Sequence, residues 1–284
     1  MMENIKVDLS RGIKISNLEL VILIGCIPTA LIPVVLLSRF APGLYNWSYN
    51  ITKGLINQTL ILYLLLSFIF IYLILYKSSK FRPIDIGLKK GKLKDGIIIT
   101  VILFILLQVY GVVYSYFCFG ELTMNEVMYK GTIVAGYYIS MIFGVAFFEE
   151  VLFRGVLIPQ IFIRLKSDKS KNKIMFMALF ISQALFSVMH IPIRLINGVG
   201  FTDLMISLAS IFIIGIVFAF IYLLTDNLFI AIGVHALWDI SQNNAATFYN
   251  SKYAFIVVGV FAFAIMYVSV VRNSKRNTNM SVKN

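Results

Sequence analysis

Eight apolar stretches divide this chain, and each approaches the length needed to cross a lipid bilayer as an α-helix. About 20 apolar residues span a hydrocarbon core of about 30 Å. Hydrophobic residues make up 60% of the 284 residues and charged residues only 13%, which excludes an ordinary soluble domain. We therefore predict an all-α fold, a polytopic transmembrane helical bundle of about eight spans. The predicted spans are Leu18–Leu37, Leu55–Tyr76, Gly96–Phe119, Gly131–Phe148, Ile174–Ile191, Asp203–Leu224, Leu228–Ser241 and Ala254–Val271.

The basic residues indicate which loops face the cytoplasm. Of the 25 Lys and Arg residues, nineteen lie in the N-terminal segment, the loops 77–95 and 164–173 and the C-terminal tail, whereas five lie in the alternate loops. Cytoplasmic loops carry an excess of Lys and Arg, so both termini are predicted to be cytoplasmic. Topology and contact with lipid head groups thus account for the net charge of +12, and we expect no nucleic-acid partner.

The arrangement of the spans predicts one integral membrane domain, residues 1–284. No Gly/Ser linker and no loop of the size of a soluble domain interrupts them. The abundance of Ile, Lys and Asn is typical of an AT-rich bacterial genome. The predicted location of this multi-pass protein is therefore the bacterial cytoplasmic membrane.

Nearly every ionisable residue inside the predicted spans belongs to one small set, which includes both histidines of the chain. The set consists of Glu149, Glu150, Arg154, His190, His235 and Asp239. A charge at the centre of a spanning helix costs about 2.5–3.5 kcal/mol, so such residues usually face a cavity and serve a function. In the simplest alternative the glutamates only neutralise the arginine, and the histidines are packing residues.

The spacing of these residues suggests a division of roles. Glu150 and Arg154 are four residues apart and share one face of a helix, whereas Glu149 points about 100° away from Glu150. Glu150 is therefore the predicted counter-ion of Arg154, and Glu149 is predicted to face a cavity. An unpaired carboxylate there suits a general base. His235 and Asp239 are also four residues apart, so Asp239 could fix the tautomer of His235 or hydrogen-bond a reacting oxygen.

A base, two imidazoles and a carboxyl group in a dry cavity are sufficient for peptide hydrolysis. Glu149 would accept a proton from water, and His190 or His235 would donate hydrogen bonds to the oxyanion that forms on the carbonyl group. Ser182 and Ser187 lie near His190 in the sequence, but neither occupies a nucleophile elbow. Serine hydrolysis is therefore not expected.

The same residues leave the question of a metal open. Two histidines and a glutamate could supply three zinc ligands, with water in the fourth position. The sequence contains no HExxH motif, however, which is the usual helical arrangement for zinc hydrolysis. We predict no cofactor and keep zinc as the alternative.

Three motifs formed by these residues resemble those of one family. EExxxR occurs as Glu149–Arg154 and is followed by Gly155, FxxxH occurs as Phe186–His190, and a variant of HxxxN occurs as His235–Asp239. In this order, on three separate spans, they resemble the CAAX protease and bacteriocin-processing family, also called the Abi family of intramembrane proteases. The likeness covers about residues 137–243, the predicted catalytic core.

The resemblance implies an intramembrane endopeptidase that acts on a membrane-associated peptide, in bacterial peptide maturation or bacteriocin immunity. It implies that Glu149 activates water without a metal, while Glu150 and Arg154 support it. The remaining implied site residues are His190, His235 and Asp239, with Phe186 and Trp238 expected to contact the substrate. Position 239 is Asp where the family most often has Asn, and an ionised Asp cannot donate to an oxyanion. It would instead orient His235 or hold water.

Two other functions stay open at this point. One is a catalytically inactive membrane protein of the same fold that binds a bacteriocin, a sensor kinase or another membrane partner. The other is a proton-coupled transporter that uses the same groups as a relay. All enzymatic interpretations require Glu149 and both imidazole rings to share one pocket. Counted from the cytoplasmic edge, His190 would lie roughly 24 Å deep and His235 roughly 10 Å deep, at about 1.5 Å per residue. A shared pocket therefore requires the fifth span to start later than Ile174 or the seventh to begin deeper.

Overall fold

The structure is a computed structural model that describes residues 4–9, 13–165, 170–243 and 245–281. Within these ranges helices dominate, and the β-structure consists of an isolated bridge between Met124 and Tyr249. The all-α prediction is confirmed.

The helices follow one another with short connections. The α-helices are α1 (Asn17–Phe40), α2 (Pro42–Tyr45), α3 (Trp47–Ile51), α4 (Gln58–Leu66), α5 (Lys90–Phe119), α6 (Thr132–Ile139), α7 (Phe147–Glu150), α8 (Ile158–Leu165), α9 (Lys171–Val188), α10 (Ile191–Ile196), α11 (Phe201–Thr225), α12 (Leu228–Gln242) and α13 (Ala254–Ser281). Wider π-type helical turns cover Ser67–Ser78, Ser140–Ala146 and Val151–Leu157, and 3-10 turns cover Pro83–Ile86 and Glu126–Lys130.

Six helical segments of the described chain are long and apolar enough to cross a membrane. They are Asn17–Phe40, Gln58–Lys77, Lys90–Phe119, Lys171–Ile196, Phe201–Thr225 and Ala254–Lys275, and they coincide with six predicted spans. The predicted fourth span lies within a continuous helical run over 132–165 that holds both glutamates. The predicted seventh span is α12, which is apolar but has only 15 residues, a length of roughly 22 Å. The protein is therefore a polytopic helical bundle.

A tight turn sets the position of α12 beside α11. Asp226 adopts a left-handed conformation with φ 56° and ends α11. The side chain of Asn227 then accepts a hydrogen bond from the backbone of Phe229 and caps α12. The amide of Asn227 also donates to the carbonyl oxygen of Lys92 at 2.9 Å, which attaches the turn to the start of α5. Consequently α12 lies at the centre of the bundle, packed against α5, α11 and α13.

The chain segments richest in Lys and Arg meet at one end of the bundle, which we call the basic end. The side-chain amide of Asn273 in α13 donates to the carbonyl oxygen of Asn4 at 2.8 Å. Lys89, before α5, forms an ion pair with Asp226 at 2.6 Å. The N-terminal segment, the 77–95 loop and the end of α13 therefore lie on the same side, as an even number of spans requires. The assignment of this side to the cytoplasm stays a prediction.

Candidate active site

Both glutamates lie in α7, a single α-helical turn between two stretches of π-type turns. Such wide turns are rare in helices and occur frequently at functional sites. Because Phe147–Glu150 remains α-helical, the two carboxyl groups project in different directions, as the spacing predicted. The wide turns themselves were not predicted from the sequence.

Glu150 and Arg154 form an ion pair whose side chains are both fully buried. Arg154 Nη1 lies 3.0 Å from Glu150 Oε1, and Arg154 Nη2 donates to the carbonyl oxygen of Gly215 in α11 at 3.0 Å. The guanidinium group also lies over the ring of Phe186, 4.5 Å from its centroid. A buried charge needs a partner of this kind. The pair therefore joins the π-turn segment to α11 and keeps Glu150 away from the cavity.

Glu149 occupies a different environment, although its side chain is also buried, with 4% exposure. The hydroxyl of Tyr63 donates to Glu149 Oε1 at 2.9 Å. Glu149 Oε2 lies 3.8 Å from His235 Nε2, so this carboxylate and this ring share one pocket. Tyr63 belongs to α4 and was missed in the sequence analysis, because a tyrosine in an apolar helix carries no signal for its partner.

His235 lies between two other carboxyl groups. Its Nδ1 is 2.8 Å from Glu150 Oε1, and its Nε2 is 3.3 Å from Asp239 Oδ2. An ionised carboxylate only accepts hydrogen bonds, so Nδ1 carries a proton and donates to Glu150. The ring stacks on Phe218, with the centroids 4.7 Å apart. These contacts hold the ring with Nε2 directed toward Glu149 and Asp239.

His190 is oriented by a backbone carbonyl group. Its Nδ1 lies 2.8 Å from the carbonyl oxygen of Phe186. A carbonyl oxygen only accepts, so Nδ1 is the donor, and a neutral ring leaves the lone pair of Nε2 free to accept. The Phe186 ring packs edge-on against both imidazoles, at centroid distances of 5.0 Å to His190 and 6.1 Å to His235.

One of the two adjustments expected from the depths of the histidines, a later start of the fifth span, is wrong. Helix α9 starts at Lys171, before the predicted Ile174, and α12 starts at Leu228 as predicted. The first turns of α9 are helical and pack against α8, with Ile174 buried.

One cavity of about 410 Å³ connects these groups. Its walls include six of the eight residues predicted for the site: Glu149, Phe186, His190, His235, Trp238 and Asp239. The remaining two, Glu150 and Arg154, lie behind the wall. Ser182 and Ser187 do not face it as nucleophiles, since their hydroxyls donate to the carbonyl oxygens of Phe153 and Leu208.

Arg194 is a further residue in the cavity wall that the sequence analysis did not select. Its backbone N–H donates to the carbonyl oxygen of His190, one helical turn earlier. Among the described residues its side chain forms no ion pair. The sequence showed Arg194 only as one basic residue of an alternate loop, and its position beside His190 depends on the turn at the end of α9.

Gly155, which follows the first motif, has a steric role. A Cβ atom at this position would collide with the backbone carbonyl oxygen of Ile86. The glycine therefore allows the 3-10 turn Pro83–Ile86 to cross the helix directly behind Glu150 and Arg154. A backbone contact of this kind cannot be moved aside by a change of rotamer.

A metal site would need three or more donor side chains around one point. In the described parts of the chain, no group of three or more His, Cys, Asp or Glu side chains has a geometry that could hold a metal ion. Nδ1 of each histidine is already occupied, by Glu150 in one case and by a carbonyl oxygen in the other.

Comparison with known protein families gives a match to a peptidase family model. The model described as "Type II CAAX prenyl endopeptidase Rce1-like" matches residues 131–241. This segment contains all three motifs and every predicted site residue. No curated protein and no solved structure matches the chain.

Proposed function

We propose that the chain is an intramembrane endopeptidase that hydrolyses a membrane-associated peptide or protein. The match of residues 131–241 to the Rce1-like CAAX prenyl endopeptidase model supports this proposal. The observation that carries the proposal is the buried Glu149 carboxylate, which lies 3.8 Å from His235 Nε2 in a cavity that also contains His190. A general base must lie within reach of the water that it activates. The cavity offers room for such a water beside both rings.

In the proposed reaction Glu149 removes a proton from water, and the water oxygen attacks the carbonyl carbon of the substrate. The negative charge moves to the carbonyl oxygen of a tetrahedral intermediate. When the C–N bond breaks, the protonated Glu149 returns the proton to the departing amine. The products are a carboxylate and an amine, and no covalent intermediate with the enzyme forms.

The contacts of the two rings favour different roles for them. His235 has carboxyl oxygens 2.8 Å and 3.3 Å from its two nitrogens, so it can carry a proton on each. Its Nε2–H can then donate to the oxyanion, which is the usual device for stabilising such an intermediate. His190 donates to a carbonyl oxygen from Nδ1, and a neutral ring can only accept at Nε2. We therefore propose that His235 stabilises the oxyanion and that His190 orients the attacking water.

Five further residues support this arrangement in the proposal. Glu150, paired with Arg154, accepts a hydrogen bond from His235 Nδ1 and keeps that nitrogen protonated. Asp239 accepts a hydrogen bond from Nε2 until the substrate carbonyl group takes its place. Phe186 and Trp238 line the cavity and are proposed to contact the substrate. The proposed mechanism uses no metal ligand and no cofactor.

The proposed substrate is a small membrane-associated peptide, processed during bacterial peptide maturation or bacteriocin immunity in the cytoplasmic membrane. Mass spectrometry of membrane-associated peptides tests this in cells that carry the native protein or its Glu149→Gln form. A precursor should accumulate with Glu149→Gln, while the matched change Glu121→Gln, at an exposed carboxyl group, should leave the peptide profile unchanged. Full processing and biological activity with Glu149→Gln, at equal protein level, would instead support the inactive binding or immunity protein.

A further inference from the structure

A second cavity, of about 730 Å³, opens at the basic end of the bundle and shares no lining residue with the candidate active site. It lies between the start of α5, the turn between α11 and α12, and the part of α13 from Phe261 to Arg272. Cations and one carboxylate surround its mouth, namely Lys6, Lys92, Arg272 and Asp95. Apolar side chains of α5, α12 and α13 form its walls, Ile98, Ile230, Phe261 and Ile265 among them.

Buried amide side chains hold the mouth of this cavity together. Asn227 is 2% exposed and donates to the carbonyl oxygen of Lys92 at 2.9 Å. Asn273 is 4% exposed and donates to the carbonyl oxygens of Asn4 at 2.8 Å and Leu224 at 3.1 Å. The backbone N–H of Lys6 donates to the carbonyl oxygen of Leu223 at 3.0 Å. The N-terminal segment, α11, α12 and the start of α5 therefore form a fixed rim rather than a set of independent loops.

The charge of the rim and the chemistry of the walls select the same kind of ligand. Three cations face one carboxylate, and neither Lys92 nor Arg272 forms an ion pair within the described residues. A phosphate group bound there would receive charge-assisted hydrogen bonds. The apolar walls below the rim require hydrocarbon, which a free anion does not supply. Basic pockets between transmembrane helices are known to bind anionic lipid head groups.

We propose that this cavity is a binding site for a phospholipid with an anionic head group, held by Lys92 and Arg272 at the rim and by the apolar faces of α5 and α13 below it. The head group lies at the level of the basic loops, where an anionic lipid carries its charge. The lipid thereby joins the N-terminal segment to α5 and α13. The proposal does not depend on peptide hydrolysis, because the two cavities are separate.

The test uses the full-length protein in detergent and measures binding of phosphatidylglycerol and phosphatidylcholine by native mass spectrometry. Lys92→Gln with Arg272→Gln should weaken phosphatidylglycerol binding about tenfold or more, since each basic residue near such a charge contributes about 1 kcal/mol. The matched pair Lys94→Gln with Lys275→Gln removes the same charge from the same two helices outside the cavity. It should leave binding within about twofold of the native protein.

A second variant tests the apolar part of the site without a change in charge. Ala264→Trp should fill the cavity and weaken binding of phosphatidylglycerol, while binding of inorganic phosphate stays unchanged. Equal losses in the two charge pairs would overturn the proposal in favour of unspecific attraction at the basic end. Equal binding of both lipids by the native protein, or unaltered binding in Ala264→Trp, would overturn it as well. Circular dichroism and thermal unfolding establish that each variant is folded.

Discussion

Helix α1 and the segment Phe147–Leu157 are both largely apolar, yet their surroundings differ completely. Most large side chains of α1 are exposed, such as Leu18 at 70%, and Leu23 is a buried exception. In Val151–Leu157 every residue is buried, including the fully buried Arg154. Lipid can cover α1, so length and hydropathy are its main requirements. The segment Phe147–Leu157 is shielded from both water and lipid. Each of its polar groups therefore needs a hydrogen-bond or ion-pair partner within the protein.

The two regions should differ most in the stability that is lost when an arginine is replaced, Arg154 in the buried segment and Arg39 in α1. Arg154→Met leaves Glu150 buried with His235 as its main partner, and removing one member of a buried ion pair costs about 3–5 kcal/mol. Thermal unfolding in detergent and the amount of protein in the membrane measure this loss. Arg39→Met removes an exposed charge at the end of α1 and should change stability by less than about 0.5 kcal/mol. Equal stability of the two variants would contradict the difference between the regions.

A matched pair of glycines sharpens the comparison without any change in charge. Gly155→Ala drives a Cβ atom into the backbone of Ile86 and should cost about 1–3 kcal/mol through overpacking. Gly25→Ala meets no atom within 4 Å and should be neutral or stabilise α1 by up to about 1 kcal/mol. Both changes are read from thermal unfolding curves. If Gly155→Ala unfolds at the native temperature, the turn Pro83–Ile86 is not held as closely as described.

The same contrast explains what could be predicted from the sequence. Apolar length predicted the helices, and the four-residue spacings placed Glu150 beside Arg154 and His235 beside Asp239, which is the proximity found. These are properties of single helices and depend on local periodicity. The site residues themselves, as catalytic groups, stay predictions until they are tested by mutation.

Apart from the shared pocket that the three motifs implied, features that depend on contacts between distant helices could not be predicted. Tyr63 lies 86 residues from Glu149 in the chain, and nothing distinguishes it from the other 14 of the 15 tyrosines. The π-type turns on either side of α7 likewise have no counterpart in the spacing of the apolar residues. Such features leave no periodic pattern in a sequence.

Tyr63 of α4 offers a test of how a helix outside the matched segment supports the buried region, since its side chain reaches Glu149. Tyr63→Phe removes its hydrogen bond to Glu149 and keeps the ring. A hydrogen bond to a charged group contributes about 1.5 kcal/mol or more, so kcat/KM should fall roughly tenfold. The control Tyr72→Phe changes an exposed tyrosine of the same helical segment and should have no effect. Equal activity of both variants would mean that Glu149 does not rely on Tyr63 for its position.

The smallest effect is expected for Asp239→Asn, in which two contributions oppose each other. Asp239→Asn removes a carboxyl oxygen 3.3 Å from His235 Nε2 and therefore makes protonation of that nitrogen less favourable. It also introduces an amide N–H that can donate to the oxyanion, which an ionised Asp cannot do. We expect kcat/KM within about threefold of the native protein, because the gain offsets most of the loss.

Asp239→Ala loses both contributions and should reduce kcat/KM by about 10- to 100-fold. Neither change disturbs the carbonyl oxygen of Asp239, which accepts from Tyr137 and Asn243, so both variants should fold. If Asn reduces activity as much as Ala does, then the negative charge of Asp239 is essential. Its role would then be to keep His235 protonated, and the oxyanion would depend on that ring alone.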